Sequence, residues 1–126
     1  MSYTSSCPCN KSYQGNCAHY LSNWMINNNI MSTNPGTAYC CPSGRPIRAK
    51  EMRDIFTDIL NLKRYFNPPK NGYDCFIYCE DNNTHQGHVY YGTKKNCVAG
   101  TGSGTYFNMD YFEYYYWILY IISLNN

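Results

Sequence analysis

Apolar positions in the first half of the chain recur at helical spacing, whereas in the second half they crowd into short runs bounded by turn residues. Cys17, Ala18, Leu21, Trp24 and Met25 share one side of a helical repeat until Asn28 breaks the stripe, which predicts a helix over 17–28. From Met31 to Pro46 the pattern lapses into turn signals, Asn34-Pro35-Gly36, Cys40-Cys41-Pro42 and Ser43-Gly44, and the segment reads as a loop. Helical spacing returns over 47–62, where Met52, Ile55, Phe56, Ile59 and Leu60 lie mostly opposite Arg48, Lys50, Glu51, Arg53, Asp54 and Asp58. A second amphipathic helix is expected there.

Pro68-Pro69 and Asn71-Gly72 close the helical half. Tyr73–Glu80 is aromatic and β-branched enough for a strand, His88–Tyr91 reads as another, and the polar run 81–87 between them is a hairpin loop. A third strand is expected within 97–104, running into Thr101-Gly102-Ser103-Gly104, which reads as a turn rather than a phosphate cradle. The last strand, 114–122, is apolar enough to be central or buried on both faces. Residues 1–14 read as an irregular arm, because the proline of Cys7-Pro8-Cys9 excludes a helix interior, and a disulfide would pin it. Helices first and antiparallel strands second predict an α+β fold, with N-terminal helices packed on a small antiparallel sheet.

The 126 residues suit one domain spanning 1–126. A net charge of +2 argues against nucleic acid as a partner, although 7 of the 10 Lys and Arg residues fall between 45 and 70, where they read as a solvated helix face beside a loop. The longest mainly apolar stretch, 114–124, interrupted by Ser123, falls short of the ~20 residues a membrane span needs. Eight cysteines suggest a disulfide scaffold, but the polar first dozen residues hold no secretory signal. Export by a dedicated machine, or processing, would reconcile the two, and the chain is expected outside the producing cell's cytoplasm. Fifteen tyrosines suit a half-buried sheet.

The candidate chemistry begins at Gly15-Asn16-Cys17, where a glycine turn and an Asn cap bring a thiol to a helix start. The helix dipole and terminal N–H groups there favour thiolate, and the Cys17 N–H is the natural oxyanion donor. His88, opening a strand after Gly87, is the expected base, adjacent to Cys17 only in space. His19 follows Cys17 by two residues, which turns it about 200° away, and is expected at the surface or the core edge. His85 lies in the hairpin loop and reads as solvated. An acceptor beyond His88 in the neighbouring strand would orient the imidazole, and among Asn96, Cys97 and Thr101 the best acceptor is Asn96. A zinc site from Cys75, Cys79, His85 and His88 is the rival chemistry, but the two cysteines would stand about 13 Å apart along a strand. Neither a metal nor a cofactor is expected.

Asn16-Cys17 opening a helix, followed by a strand, a hairpin and Gly87-His88-Val89-Tyr90-Tyr91-Gly92, resembles the NlpC-type and CHAP-type papain-like hydrolases. In size and in its Asn-Cys-Ala start the chain is similar to type VI secretion amidase effectors. The resemblance implies that Cys17 is the nucleophile and His88 the base of a cysteine hydrolase cutting amide bonds in peptidoglycan stem peptides. It also implies an immunity protein as partner. The extra cysteines, and the lack of an obvious third-position His or Asp, depart from that pattern. The alternative is a non-enzymatic, disulfide-stabilised binding module or toxin with an aromatic surface for glycans or a partner protein.

Overall fold

The computed structural model describes residues 7–11, 13, 15–36, 38–67, 72–94 and 96–102, and the backbone of 112–117. Helix α1 spans Cys17–Asn27, and of its expected apolar stripe Cys17, Ala18, Leu21 and Met25 are buried while Trp24 is half-buried beside them. Helix α2, Ala49–Asp54, runs on as a π-helical turn over Ile55–Ile59. There the Leu60 N–H donates to the Ile55 carbonyl at 2.9 Å, one residue further back than in an α-helix. The extra residue rotates the end of the helix: Met52, Ile55 and Phe56 stay in the core, while Ile59, expected on the apolar stripe, is exposed.

Among the described residues five strands follow: β1 (Arg64–Tyr65), β2 (Cys75–Asp81), β3 (Gly87–Gly92), β4 (Cys97–Ala99) and β5 (Phe112–Trp117). They form one antiparallel sheet in the order β1-β5-β2-β3-β4. The fold is therefore α+β with helices on an antiparallel sheet, as the segregated pattern predicts. The last strand takes an interior place beside β2; the rest of its expected span, 118–122, lies outside the described residues, as does the end of the third. The two-residue β1 has no periodicity by which to be recognised. No described helix is long and apolar enough to cross a membrane.

The register of β2 and β3 sorts their side chains. Phe76, Tyr78, Val89 and Tyr91 pack with Cys17, Leu21, Met25, Met52 and Phe56 in the core between helices and sheet. The ring pairs Phe56–Phe76, Phe76–Tyr91 and Trp24–Tyr91, with centroids 4.7, 5.0 and 5.2 Å apart, join the two layers. Cys75, Ile77 and Tyr90 are buried on the opposite face, against Cys97. Neighbouring strand residues point to opposite faces, so His88 shares the face of Tyr90, whose ring centroid is 5.5 Å away.

Candidate functional site

Gly15, at φ +64°, turns the chain into α1. Asn16 occupies the N-cap position, but its side chain does not cap the helix. Its Oδ1 instead accepts the Tyr13 N–H at 3.1 Å and lies 3.3 Å from Nδ1 of His19. Cys17 follows with its thiol buried against the sheet. Burial pushes the thiol pKa up, and the opposing main-chain N–H groups of Val89, Ala18 and Cys17 itself do not offset it. Thiolate formation expected from the helix start is thus outweighed by desolvation.

Cys17 lines an open cleft of about 410 Å³ with Gly15, Arg48, Lys50, Glu51, His85 and Gly87 among the other walls. The cleft runs between the start of α1, the start of α2 and the β2–β3 hairpin. His85 is held on this rim by Glu80, whose Oε2 lies 3.3 Å from Nδ1 of the imidazole. The other Glu80 oxygen accepts the Tyr78 hydroxyl at 2.7 Å and has Arg53 Nη1 at 4.0 Å. The Tyr78 hydrogen bond, aided by His85 and Lys50, keeps the Glu80 carboxyl below its ordinary pKa against partial burial. His85, expected to be solvated, is indeed exposed, but it carries a fixed carboxylate partner.

His88 is placed differently. It is buried on the face of Tyr90, away from the helices, and its Nε2–H donates to the Gly102 carbonyl at 2.8 Å. The acceptor fixes that tautomer, since a carbonyl oxygen donates nothing. Burial lowers the His88 pKa, with the Gly102 carbonyl opposing. β3 therefore presents Val89 to Cys17 and turns His88 to the other face. Asn96 stands in the β3–β4 turn, exposed, where its N–H and carbonyl pair with Thr93. β4 meets β3 at Tyr91 and Gly92, which leaves Asn96 at the end of β3 remote from His88. The group that accepts from His88 is the main chain of Gly102, invisible to a search for side-chain acceptors.

None of the eight cysteines forms a disulfide. Of the rival zinc ligands, Cys75 and Cys79 are buried in β2, where burial pushes each thiol to about 12, and His85 stays with Glu80. Among the described residues, the ligand-type side chains that do converge are Cys7, Cys9, His19 and Cys41, whose donor atoms lie within 4.8 Å of one another. His19, expected at the surface or core edge, is fully buried. The sequence carried a signal for this cluster in the close pair Cys7-x-Cys9 with a histidine 10 residues further on, a pattern as suited to a metal as to disulfides. The comparisons with known protein families, with curated proteins and with solved structures find no match to the chain.

Proposed function

We propose that the chain is a cysteine hydrolase of papain-like, NlpC-type organisation that cleaves amide bonds at the cleft beside α1, with Cys17 as the nucleophile. One setting carries the reading: the Cys17 sulfur belongs to the first residue of α1, on the lining of an open cleft, with N–H groups of Val89, Ala18 and Cys17 around it. An oxyanion formed on a carbonyl attacked by that sulfur meets the same donors.

Because burial holds the thiol protonated, the proton has to leave as the sulfur attacks, which requires a base at the cleft. His85 is the base the cleft offers, with Nδ1 on Glu80 and Nε2 as the nitrogen that accepts a proton. In this scheme Nε2 takes the thiol proton as the S–C bond forms. It returns the proton to the leaving amine as the C–N bond breaks, and water then hydrolyses the thioester. Arg48, Lys50 and Glu51 on the walls suit a peptide bearing both carboxylates and amines. Peptidoglycan stem peptides have that make-up, and the resemblance of Asn16-Cys17-Ala18 and Gly87-His88 to NlpC-type enzymes favours them. Delivery outside the producing cell and an immunity partner belong to the same proposal.

The test is digestion of purified peptidoglycan with new termini identified by mass spectrometry. Cys17→Ala should abolish release and His85→Ala should lower it by a factor on the order of 100 or more. His88→Ala should retain most of it. Loss in His88→Ala with full activity in His85→Ala returns the base role to His88; full activity in Cys17→Ala overturns the proposal.

A further inference from the structure

Within the arm, Cys7 and Cys9 meet the 40–46 turn and α1 through side chains able to ligate a metal. Sγ of Cys7 lies 3.7 Å from Sγ of Cys41, and Sγ of Cys9 lies 3.5 Å from Nε2 of His19. A disulfide has sulfurs about 2.05 Å apart, so these thiols are neighbours and not a bonded pair. A tetrahedral zinc ion with Zn–S of ~2.3 Å and Zn–N of ~2.05 Å sets its ligand sulfurs about 3.8 Å apart and sulfur from nitrogen about 3.6 Å. We infer that Cys7, Cys9, His19 and Cys41 bind one thiophilic divalent cation, Zn²⁺ by donor type and spacing, in a closed Cys3His site.

The surroundings of the cluster support a metal independently of the ligand distances. Tyr13 donates its N–H to Oδ1 of Asn16, which fixes that atom as the amide oxygen and therefore as an acceptor. The same oxygen faces Nδ1 of His19 at 3.3 Å, so Nδ1 carries the hydrogen and Nε2 offers its lone pair on the side of Cys9. This is the arrangement by which metal-bound histidines are held in tautomer and orientation. Polar groups face the sulfurs as well: Ser43 Oγ, with one hydrogen to give, lies 2.8 Å from Cys7 and 3.1 Å from Cys41, and the Lys11 N–H lies 3.3 Å from Cys9. Cys40, next in sequence to Cys41, is turned out of the cluster with its thiol toward the Ala38 carbonyl. The selection of one cysteine from the adjacent pair reflects the turn over 41–45, closed by Gly44 N–H to Cys41 O and Cys41 N–H to Arg45 O.

Four protein ligands complete a tetrahedron, so the site has no position for a substrate or a reactive water and its work is structural. Cys7, Cys41 and His19 are buried, with Cys9 at the edge. The ion ties three remote pieces of chain together: the arm, the first turn of α1 and the turn before α2. Cys17 is not among the ligands. The inference stands whether or not Cys17 is a nucleophile.

The experiment is metal analysis of the full chain purified under reducing conditions without chelator, followed by Co²⁺ titration of the stripped chain. The expected result is about one zinc per chain. Co²⁺ should give the strong visible d–d bands and near-ultraviolet sulfur-to-metal charge transfer of a tetrahedral thiolate site, displaced by Zn²⁺. Cys40→Ser and Cys17→Ala should keep both signals, and Cys9→Ser should weaken binding at least tenfold and reduce the charge-transfer band. Asn16→Ala, which leaves every ligand in place, should weaken binding about 10- to 100-fold. The wild-type titration needs no variant to fold. A wild-type chain that binds neither ion, or one lighter by two hydrogens with Cys7 and Cys41 joined, overturns the assignment.

Discussion

Oδ1 of Asn16 lies 3.3 Å from Nδ1 of His19, one helical turn on, and the same oxygen accepts the Tyr13 N–H. An asparagine at the N-cap position is ordinarily read as satisfying the first N–H groups of its own helix, yet here it ties the arm to a buried histidine. Asn16→Ala removes an acceptor from a buried ring and from a main-chain N–H, which costs about 1–3 kcal/mol. Asn16→Asp keeps an acceptor at the same reach and should lose less. Urea denaturation of the two variants checks the order; equal stabilities would show that the oxygen contributes nothing here.

The thiols of the metal-stripped chain should ionise in a fixed sequence. At Cys41 burial raises the pKa, but hydrogen bonds from the Ser43 hydroxyl, the Arg45 and Ser43 N–H groups and the Cys7 thiol outweigh it and bring it to about 6. Cys17 lies above the ordinary value through burial, and Cys75 and Cys79 reach about 12. Thiolate absorbance should rise with a first midpoint near pH 6 that disappears in Cys41→Ser. Alkylation of Cys17 should accelerate only above pH 9. A Cys17 that alkylates fastest at neutral pH would show that the helix dipole outweighs desolvation after all.

Stability should fall on mild acidification because of His88. Its folded pKa is depressed below 6.5 by burial, so the unfolded chain binds the proton more readily. By linkage, this contribution is fully present above pH 6.5 and is lost as the pH falls through the folded pKa. Glu80 and Asp81, also depressed, contribute in the same sense but only below about 4.5, and the Cys41 thiol, at about 6 in the stripped chain, adds a slope of the same sign that a change at His88 leaves in place. The slope just below pH 6.5 should therefore flatten in His88→Gln, an amide able to donate to the Gly102 carbonyl. Denaturant unfolding of the wild type and the variant, both stripped of metal, measures the difference. Parallel curves would assign the slope to another group.

The order of elements was legible because α1 and the β2–β3 hairpin announce themselves: Leu21 and Met25 repeat at helical spacing, and Phe76–Tyr78 and Val89–Tyr91 bracket a polar loop. Which way β3 faces was not. His88, Val89, Tyr90 and Tyr91 are all buried, so no alternation of polar and apolar residues marks one side, and placing His88 with Cys17 amounted to a one-residue choice. The covering segment decides it: Gly100 lies against Tyr90, and Gly102 accepts from His88. The Cys3His cluster escaped for another reason. Its members lie in an arm, a helix and a loop, spaced with no period, and only tertiary structure selects Cys41 over Cys40.

Gly87 is required for room. A methyl group built there falls 2.8 Å from both Cε2 and the hydroxyl of Tyr78, well inside contact distance. The ring has little freedom to retreat, because Tyr78 is fully buried, its hydroxyl is bonded to Glu80 and the Arg53 guanidinium lies 5.3 Å from its centroid. Gly87→Ala should therefore destabilise the protein by about 1–3 kcal/mol, as overpacking does. Since Glu80 also holds His85 at the cleft, any displacement of Tyr78 reaches that rim. Tyr78→Phe removes one of the two close atoms and leaves the other, so the two substitutions should be non-additive, with Gly87→Ala costing less when Tyr78→Phe is already in place. A double-mutant cycle by denaturant unfolding measures the coupling. Strict additivity would mean that the alanine is accommodated by the hairpin backbone and that Tyr78 never moves.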